Sequence, residues 1–171
     1  MEYEVNMGET AALFFRSFPL LLKGAAMTIQ LLVGAFSLSL FFGLQWGILT
    51  SNRLKIFVVS SLIEKMTFFY RAVPFYVQLL IVYFVLPDLF GWNFEPFTAS
   101  VVALGMCSSG YVAQIVRGGI NSIPNHQWES AFTLGYTKLQ TLRFIILPQM
   151  VRNVLPAFII VTGKQIGRAH V

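Results

Sequence analysis

Apolar residues along this chain fall into four blocks, and the polar gaps between them differ in character. The first block runs from about residue 24 to 50 and is apolar or small apart from Gln30 and Gln45. Such a length crosses a hydrocarbon core of roughly 30 Å as a helix. Gly43 and Gly47, four apart, share a face that lets a neighbouring helix pack closely. Ahead of it, residues 1–18 are expected to form a short acidic lead-in, partly amphipathic through Leu13, Phe14, Phe15 and Phe18, with Pro19 at the junction. The second span is expected over about 62–87, after a basic turn at Ser51–Lys55. It is interrupted by Tyr70-Arg71-Ala72-Val73-Pro74, where the proline kinks the helix and frees a carbonyl. A third span, about 97–116, carries so many small positions that it belongs inside a bundle rather than against lipid. The fourth run, Ala157–Val161, is far shorter than a full crossing and reads as a partial span starting near residue 153.

Residues 117–148 stand apart because they mix charges, amides and turn formers. Pro124-Asn125 opens a helix, since proline cannot continue a preceding one and asparagine caps the next. That helix carries Glu129, Ser130 and Ala131, and Gly135 suits a left-handed turn at its end. Thr137 or Tyr136 then starts a second helix, which Pro148 is expected to stop or kink. The small residues Ser130, Ala131 and Gly135 leave a surface that another protein can approach. From the residues alone, the stretch is equally a solvated connector between hydrophobic hairpins.

Composition turns these blocks into membrane spans. The chain is 56% hydrophobic and 11% charged, with a mean hydropathy of +0.70, against about 25% charged residues in soluble domains. Its net charge of +5 comes without a dense basic run, so nucleic acid is not the partner it implies. Arg53 and Lys55 lie between the first two spans with Lys65 at the start of the second, and Arg117, Lys138, Arg143 and Arg152 in and after the 117–148 stretch, whereas the remaining gap holds Asp88 and Glu95. The positive-inside rule then places 117–148 in the cytoplasm and the N-terminus outside.

Candidate chemistry is sparse. No phosphate-cradling Gly-x-x-x-x-Gly-Lys-Ser/Thr is present, so the chain is not expected to hydrolyse nucleotide. His126 and His170 are isolated, Cys107 is the single cysteine, and neither a metal site, a cofactor site nor a catalytic dyad can be assembled. Interest shifts to polar groups inside spans. Arg71 is costly there and must face a partner, water or headgroups, or snorkel to the surface. Gln78 and Tyr111 are polar within apolar surroundings and are candidates for a translocation path, with Arg71, Pro74 and Gln114 beside them.

Three motifs carry a resemblance. The spacing Glu129-x-Ala131, Gly135, Ile145, Leu147-Pro148 is similar to the cytoplasmic coupling loop of ABC-importer permeases, with Ser130 where the family usually has alanine. The block FYRAVPFYVQLLIVYFVLP resembles permeases for polar amino acids through Arg71, Pro74, Gln78, Tyr83, Leu86 and Pro87, while Ala72 and Val73 replace the usual Gly-Thr. Gln114 to Ile120 with Ser122-Ile-Pro124 is also similar, although relatives usually carry Glu at the position of Gln114.

The resemblance implies an all-α membrane protein, a type I ABC-importer permease bundle over residues 19–165, in the inner membrane of a bacterial cell. It implies a cytoplasmic ATPase dimer that hydrolyses the ATP, a second permease copy, identical or not, an extracytoplasmic solute-binding protein, and an amino-acid substrate. Glu129, Ser130, Ala131, Gly135, Ile145, Leu147 and Pro148 would couple to the ATPase. A permease for another small solute, or a membrane adaptor without transport, are the alternatives. Relatives continue into the rest of a fourth span and a fifth, so this bundle is expected to be incomplete at its C-terminus. The tail Ile166–Val171 also reads as one translation frame of a sequencing adapter and is expected to be non-native, the alternative being a natural short chain.

Overall fold

The computed structural model describes residues 7–169, and the first six residues of the lead-in and the last two of the tail lie outside it. Among the described residues the secondary structure is entirely helical. Helix α1 spans Met7–Leu49, α2 Phe57–Ala72, α3 Phe75–Leu80, α4 Leu86–Phe90 and α5 Pro96–Asn121. The expected connector holds α6, Asn125–Thr133, and α7, Lys138–Thr141, and α8 runs from Leu147 to Ala169.

Pro19 does not separate a lead-in from the first span. It sits inside α1, a single helix of 43 residues. A proline removes one backbone donor and disturbs one turn, and the apolar, helix-forming residues Leu20–Leu22 carry the helix onward. The described part of the lead-in thus extends the first span.

Pro74 has the opposite outcome, since the kink expected there is a full break. Val73 and Pro74 are both extended, and the rod running over Phe75–Phe90 departs from α2 at 108°. The residue before a proline is disfavoured in the α region, which explains the extended Val73. Together the pair is long and apolar enough to form one broken span or a re-entrant segment, while Leu13–Leu49 and Pro96–Asn121 are each long and apolar enough to cross a membrane.

Two other prolines are absorbed. Leu86-Pro87 follows a turn of π-helix at Ile81–Val85, and Leu147-Pro148 follows one at Leu142–Ile146. In each turn the N–H of the leucine reaches back five residues, Leu86 to the Ile81 carbonyl and Leu147 to that of Leu142. The wider turn gives the proline ring room against the preceding carbonyl, which a regular α-turn does not. Pro148 therefore does not stop the second connector helix. The backbone stays helical from Lys138 to Ala169, and the partial span expected near residue 153 is the middle of this rod.

The core lies where α1 crosses α5. Ala35 and Ser39 are fully buried, and with Gly43 and Gly47 they form a stripe at four-residue spacing. A Cβ added at Gly43 would lie 2.5 Å from Val112, and one at Gly47 would lie 2.6 Å from Val116. Those two glycines let the helix backbones approach, as their spacing indicated. On the other face of α5, Gly119 packs against Met150 and Val154 of α8. Buried Ser60 ties the ends of α1 and α2: its hydroxyl donates to the Leu49 carbonyl at 2.6 Å and accepts the Ile56 N–H at 3.0 Å.

Candidate functional site: a helical elbow and a broken span

The stretch between α5 and α8 forms an exposed elbow. Helix α6 ends at Gly135, whose φ of +85° lies in the left-handed region. The Gly135 N–H donates to the Phe132 carbonyl and the Tyr136 N–H to the Ala131 carbonyl, each at 3.0 Å. This pair of bonds is a Schellman closure. It supplies acceptors' partners that the last turn otherwise lacks, and it turns the chain sharply. Thr137 then caps α7 through a capping box with Gln140. Open space surrounds the position a Gly135 Cβ would take, so glycine is needed there for its backbone angle.

The elbow has two faces. Glu129, Ser130, Gly135 and Pro148 are exposed, together with Leu134, Leu139 and Phe132. Ala131 is buried, while Ile145 and Leu147 are half-buried and pack against the core. The residue that roots the elbow is Trp128, which is 1% exposed. It belongs to one apolar cluster with Val116, Ile120 and Ile123 before the elbow and Leu142, Ile146 and Met150 after it. Sequence reasoning passed over Trp128. The available signal was its spacing, three residues before Ala131 and thus on the same helix face.

At the end of the bundle nearest the elbow, the spans are tied together by polar contacts. Glu64 of α2 pairs with Lys55 at 3.4 Å and with Arg117 of α5 at 3.1 Å. The Asn52 N–H donates to Asn121 Oδ1 at 3.0 Å, joining the α1–α2 turn to the end of α5.

The proposed path residues are split. Gln78 lies behind the break at Pro74, and its Nε2 donates to the Tyr70 carbonyl at 2.9 Å and the Val73 carbonyl at 2.8 Å. Both acceptors belong to the frayed end of α2, so the amide repairs what the break opens. Gln78 also borders a largely apolar cavity of about 470 Å³, with Phe42, Tyr70, Trp92 and Met106 among its other walls. Its buried Oε1 has no hydrogen-bond partner among the described residues.

Arg71 and Tyr111 do meet. The guanidinium carbon is 5.9 Å from the centroid of the Tyr111 ring, within cation–π range. The absence of a side chain at Gly110 permits this, because a Cβ there would lie 3.0 Å from the Thr67 carbonyl and 3.2 Å from Arg71 Cγ. Lys164 of α8 approaches the same ring, with Nζ 5.9 Å from its centroid. Sequence reasoning did not include Lys164, since its approach depends on α8 continuing past Pro156. Gln114 borders a separate cleft with Asn153 and Val154. No group of three or more His, Cys, Asp or Glu side chains that could hold a metal occurs among the described residues.

Membrane-length apolar helices packed through small residues, with a broken span and an exposed elbow, define an integral membrane helix bundle. Comparison with known proteins narrows this class. Residues 43–170 match the family described as binding-protein-dependent transport system inner membrane component, and the chain belongs to that family. It is 35% identical over 143 residues to the probable amino-acid permease protein YxeN of Bacillus subtilis (strain 168), covering 82% of this chain and 63% of that protein. To the arginine transport system permease protein ArtQ of the same organism it is 34% identical over 141 residues, covering 82% and 64%. The chain thus spans just under two thirds of the length of these curated relatives.

Among solved structures, a crystal structure of an amino acid ABC transporter with histidines superposes with a TM-score of 0.75 at 31% identity, covering 94% of this chain and 76% of that one. The inward-facing MetNI methionine ABC transporter gives a TM-score of 0.74 at 20% identity over 89% and 72%, a likeness of fold. The fold is that of the ABC-transporter permeases, and the protein is an inner-membrane component.

Proposed function

We propose that the chain is a permease subunit of an ATP-driven importer of polar amino acids, and that the elbow is its lever. The observation that carries this reading is the two-faced elbow: exposed Glu129, Ser130 and Leu134 outside, buried Trp128 and Ala131 within. An ATPase that grips the outer face moves α5 and α8 with it, because the Trp128 cluster joins both rods to the elbow. Glu129, Ser130, Gly135 and Pro148 serve the contact, and Ile145 and Leu147 brace it from behind. A dimer of cytoplasmic ATPases hydrolyses the nucleotide, and a second permease copy completes the gate. An extracytoplasmic solute-binding protein delivers the amino acid. Rigid displacement of the elbow then switches the spans between outward- and inward-facing states.

The orientation follows from charge. Arg53, Lys55, Lys65 and Arg117 gather at the elbow end, and Asp88 and Glu95 lie toward the other, which supports a cytoplasmic elbow and an outer N-terminus. The test is reconstitution of the full-length permease with its ATPase in proteoliposomes. ATP-dependent accumulation of an amino acid supports the reading. Association with the ATPase without accumulation of any amino acid would favour an adaptor and contradict it.

A further inference from the structure

The cavity of about 470 Å³ beside Gln78 is walled by both arms of the broken span. Phe69 and Tyr70 of α2 line it before the break, Ile81 and Val82 after it, and Phe42 of α1 and Met106 of α5 contribute the other sides. Helices α2 and α3 each pack on α5 but hardly on one another, so open space rather than side-chain contact separates the two arms. The turn of π-helix at Ile81–Val85 forms part of the wall, and such turns often mark functional positions. Met106 stands ten residues after the start of α5, about 15 Å along it, within the hydrocarbon depth of a spanning helix.

The lining does not suit a polar solute. Among the described residues no charged side chain borders the cavity, and its polar side chains are Tyr70, Gln78 and Trp92. Water is a poor filling, since each buried molecule needs about two to four polar partners. An empty space forfeits dispersion contacts on every wall. One group in the wall lacks a partner. Gln78 is 5% exposed, its Nε2 is spent on the Tyr70 and Val73 carbonyls, and its buried Oε1 accepts no hydrogen bond among the described residues. A buried acceptor left without a donor is costly. Phe69 and Trp92, also in the lining, are each about half exposed on the outside of the bundle, which leaves an entrance from the bilayer.

We infer that this cavity binds an uncharged single-chain lipid ending in a hydroxyl, its hydrocarbon chain against the apolar walls and its hydroxyl donating to Gln78 Oε1. The uncharged lining rejects phosphate and carboxylate headgroups, whose burial without a partner is prohibitive. The volume, within the about 300–1,000 Å³ of small-ligand sites, admits one chain. The amide oxygen selects a molecule with a donor over an ether or a plain hydrocarbon. With Nε2 held by two carbonyls, the amide cannot turn round to offer a donor instead, so the preference runs one way. Because both arms of the break line the site, the occupant packs against each and holds them at their angle. Arg71, Tyr111 and Gln114 do not line this cavity, and the inference goes beyond the transport reading without depending on which solute is carried.

Decanol and decyl methyl ether separate the hydroxyl from the chain, since the ether keeps the oxygen and loses the donor. A photoactivatable diazirine analogue of decanol is added to the full-length permease with its ATPase in phosphatidylcholine nanodiscs, and the labelled residues are mapped by mass spectrometry. Decanol and the ether then compete, each dosed by its mole fraction in the bilayer. Labelling should concentrate on the walls, at Phe42, Val82 or Met106, and decanol should displace it at a mole fraction at least roughly tenfold lower than the ether. Val82→Phe and Val102→Phe fill the space from two different walls and should each remove most of that labelling. Equal displacement by alcohol and ether would overturn the inference. So would wall labelling no stronger than that of Phe57, an exposed residue of α2, or wall labelling that survives both phenylalanine substitutions. Thermal unfolding of the same samples shows whether each variant is folded. Where one is not, the alcohol-to-ether ratio in the unmodified protein decides by itself.

Discussion

Single residues in this molecule act mainly through the backbone groups they relieve. Gln78 was conspicuous in the sequence as an amide within an apolar block, which suggested contact with solute. The structure gives the same amide a second duty, as donor to the two carbonyls left by the break at Val73-Pro74. That duty was illegible in the sequence because it depends on how sharply the chain turns at Pro74. Gln78→Leu should therefore lower stability by about 1–3 kcal/mol, the cost of leaving a buried polar group without a partner. Thermal unfolding in detergent and abundance in the membrane are the measurements. Normal stability with reduced uptake per molecule would return Gln78 to the solute path. Gly135 was legible for the opposite reason. A glycine after a helix with turn residues behind it has a local meaning, and the left-handed φ follows from local geometry.

At the level of elements, the sequence indicated the number and order of the long apolar segments but misjudged several prolines. Pro19 was expected to mark a boundary and Pro148 to stop or kink a helix, yet the helix passes through Pro19 and continues past Pro148 by way of a π-turn. Pro74, expected to kink a span, breaks it through 108°. What differs is the surroundings. At Pro87 and Pro148 a π-turn widens the helix just before the ring, whereas at Pro74 the chain becomes extended and Gln78 takes up the loose carbonyls. Such compensation is tertiary and leaves no periodicity to read. The elbow was outlined by its spacing, but its root was not, because Trp128 looks like one aromatic among many in a chain with 17 phenylalanines. Trp128→Ala empties the cluster joining α6 to α5 and α8 and should cost about 3–5 kcal/mol. The account expects the variant, where it inserts, to keep its ATPase while losing most ATP-dependent uptake, and Trp128→Phe to retain a good part of it. Unimpaired uptake by the alanine variant would show that force does not pass through this residue.

The whole molecule is two working regions joined by packed rods. At one end lie the elbow, the Glu64 ion pairs and the Asn52–Asn121 bond; in the middle lie the broken span and the cations around Tyr111. Helix α5 runs through both, touching α1 through Gly43 and Gly47 and α8 through Gly119. On the proposed function, a displacement at the elbow would reach the middle along α5, because its interfaces are close-packed. The central claim is that the exposed face of α6 is where an ATPase takes hold. Cysteine cross-linking of Ser130→Cys to the ATPase tests it directly, with Asn93→Cys, beyond α4 at the opposite end, as the comparison. The account predicts that Ser130→Cys cross-links to the ATPase, with a yield that changes when ATP is added, and that Asn93→Cys does not. Cross-linking at Asn93→Cys, or none at Ser130→Cys in a complex that still hydrolyses ATP, would contradict it.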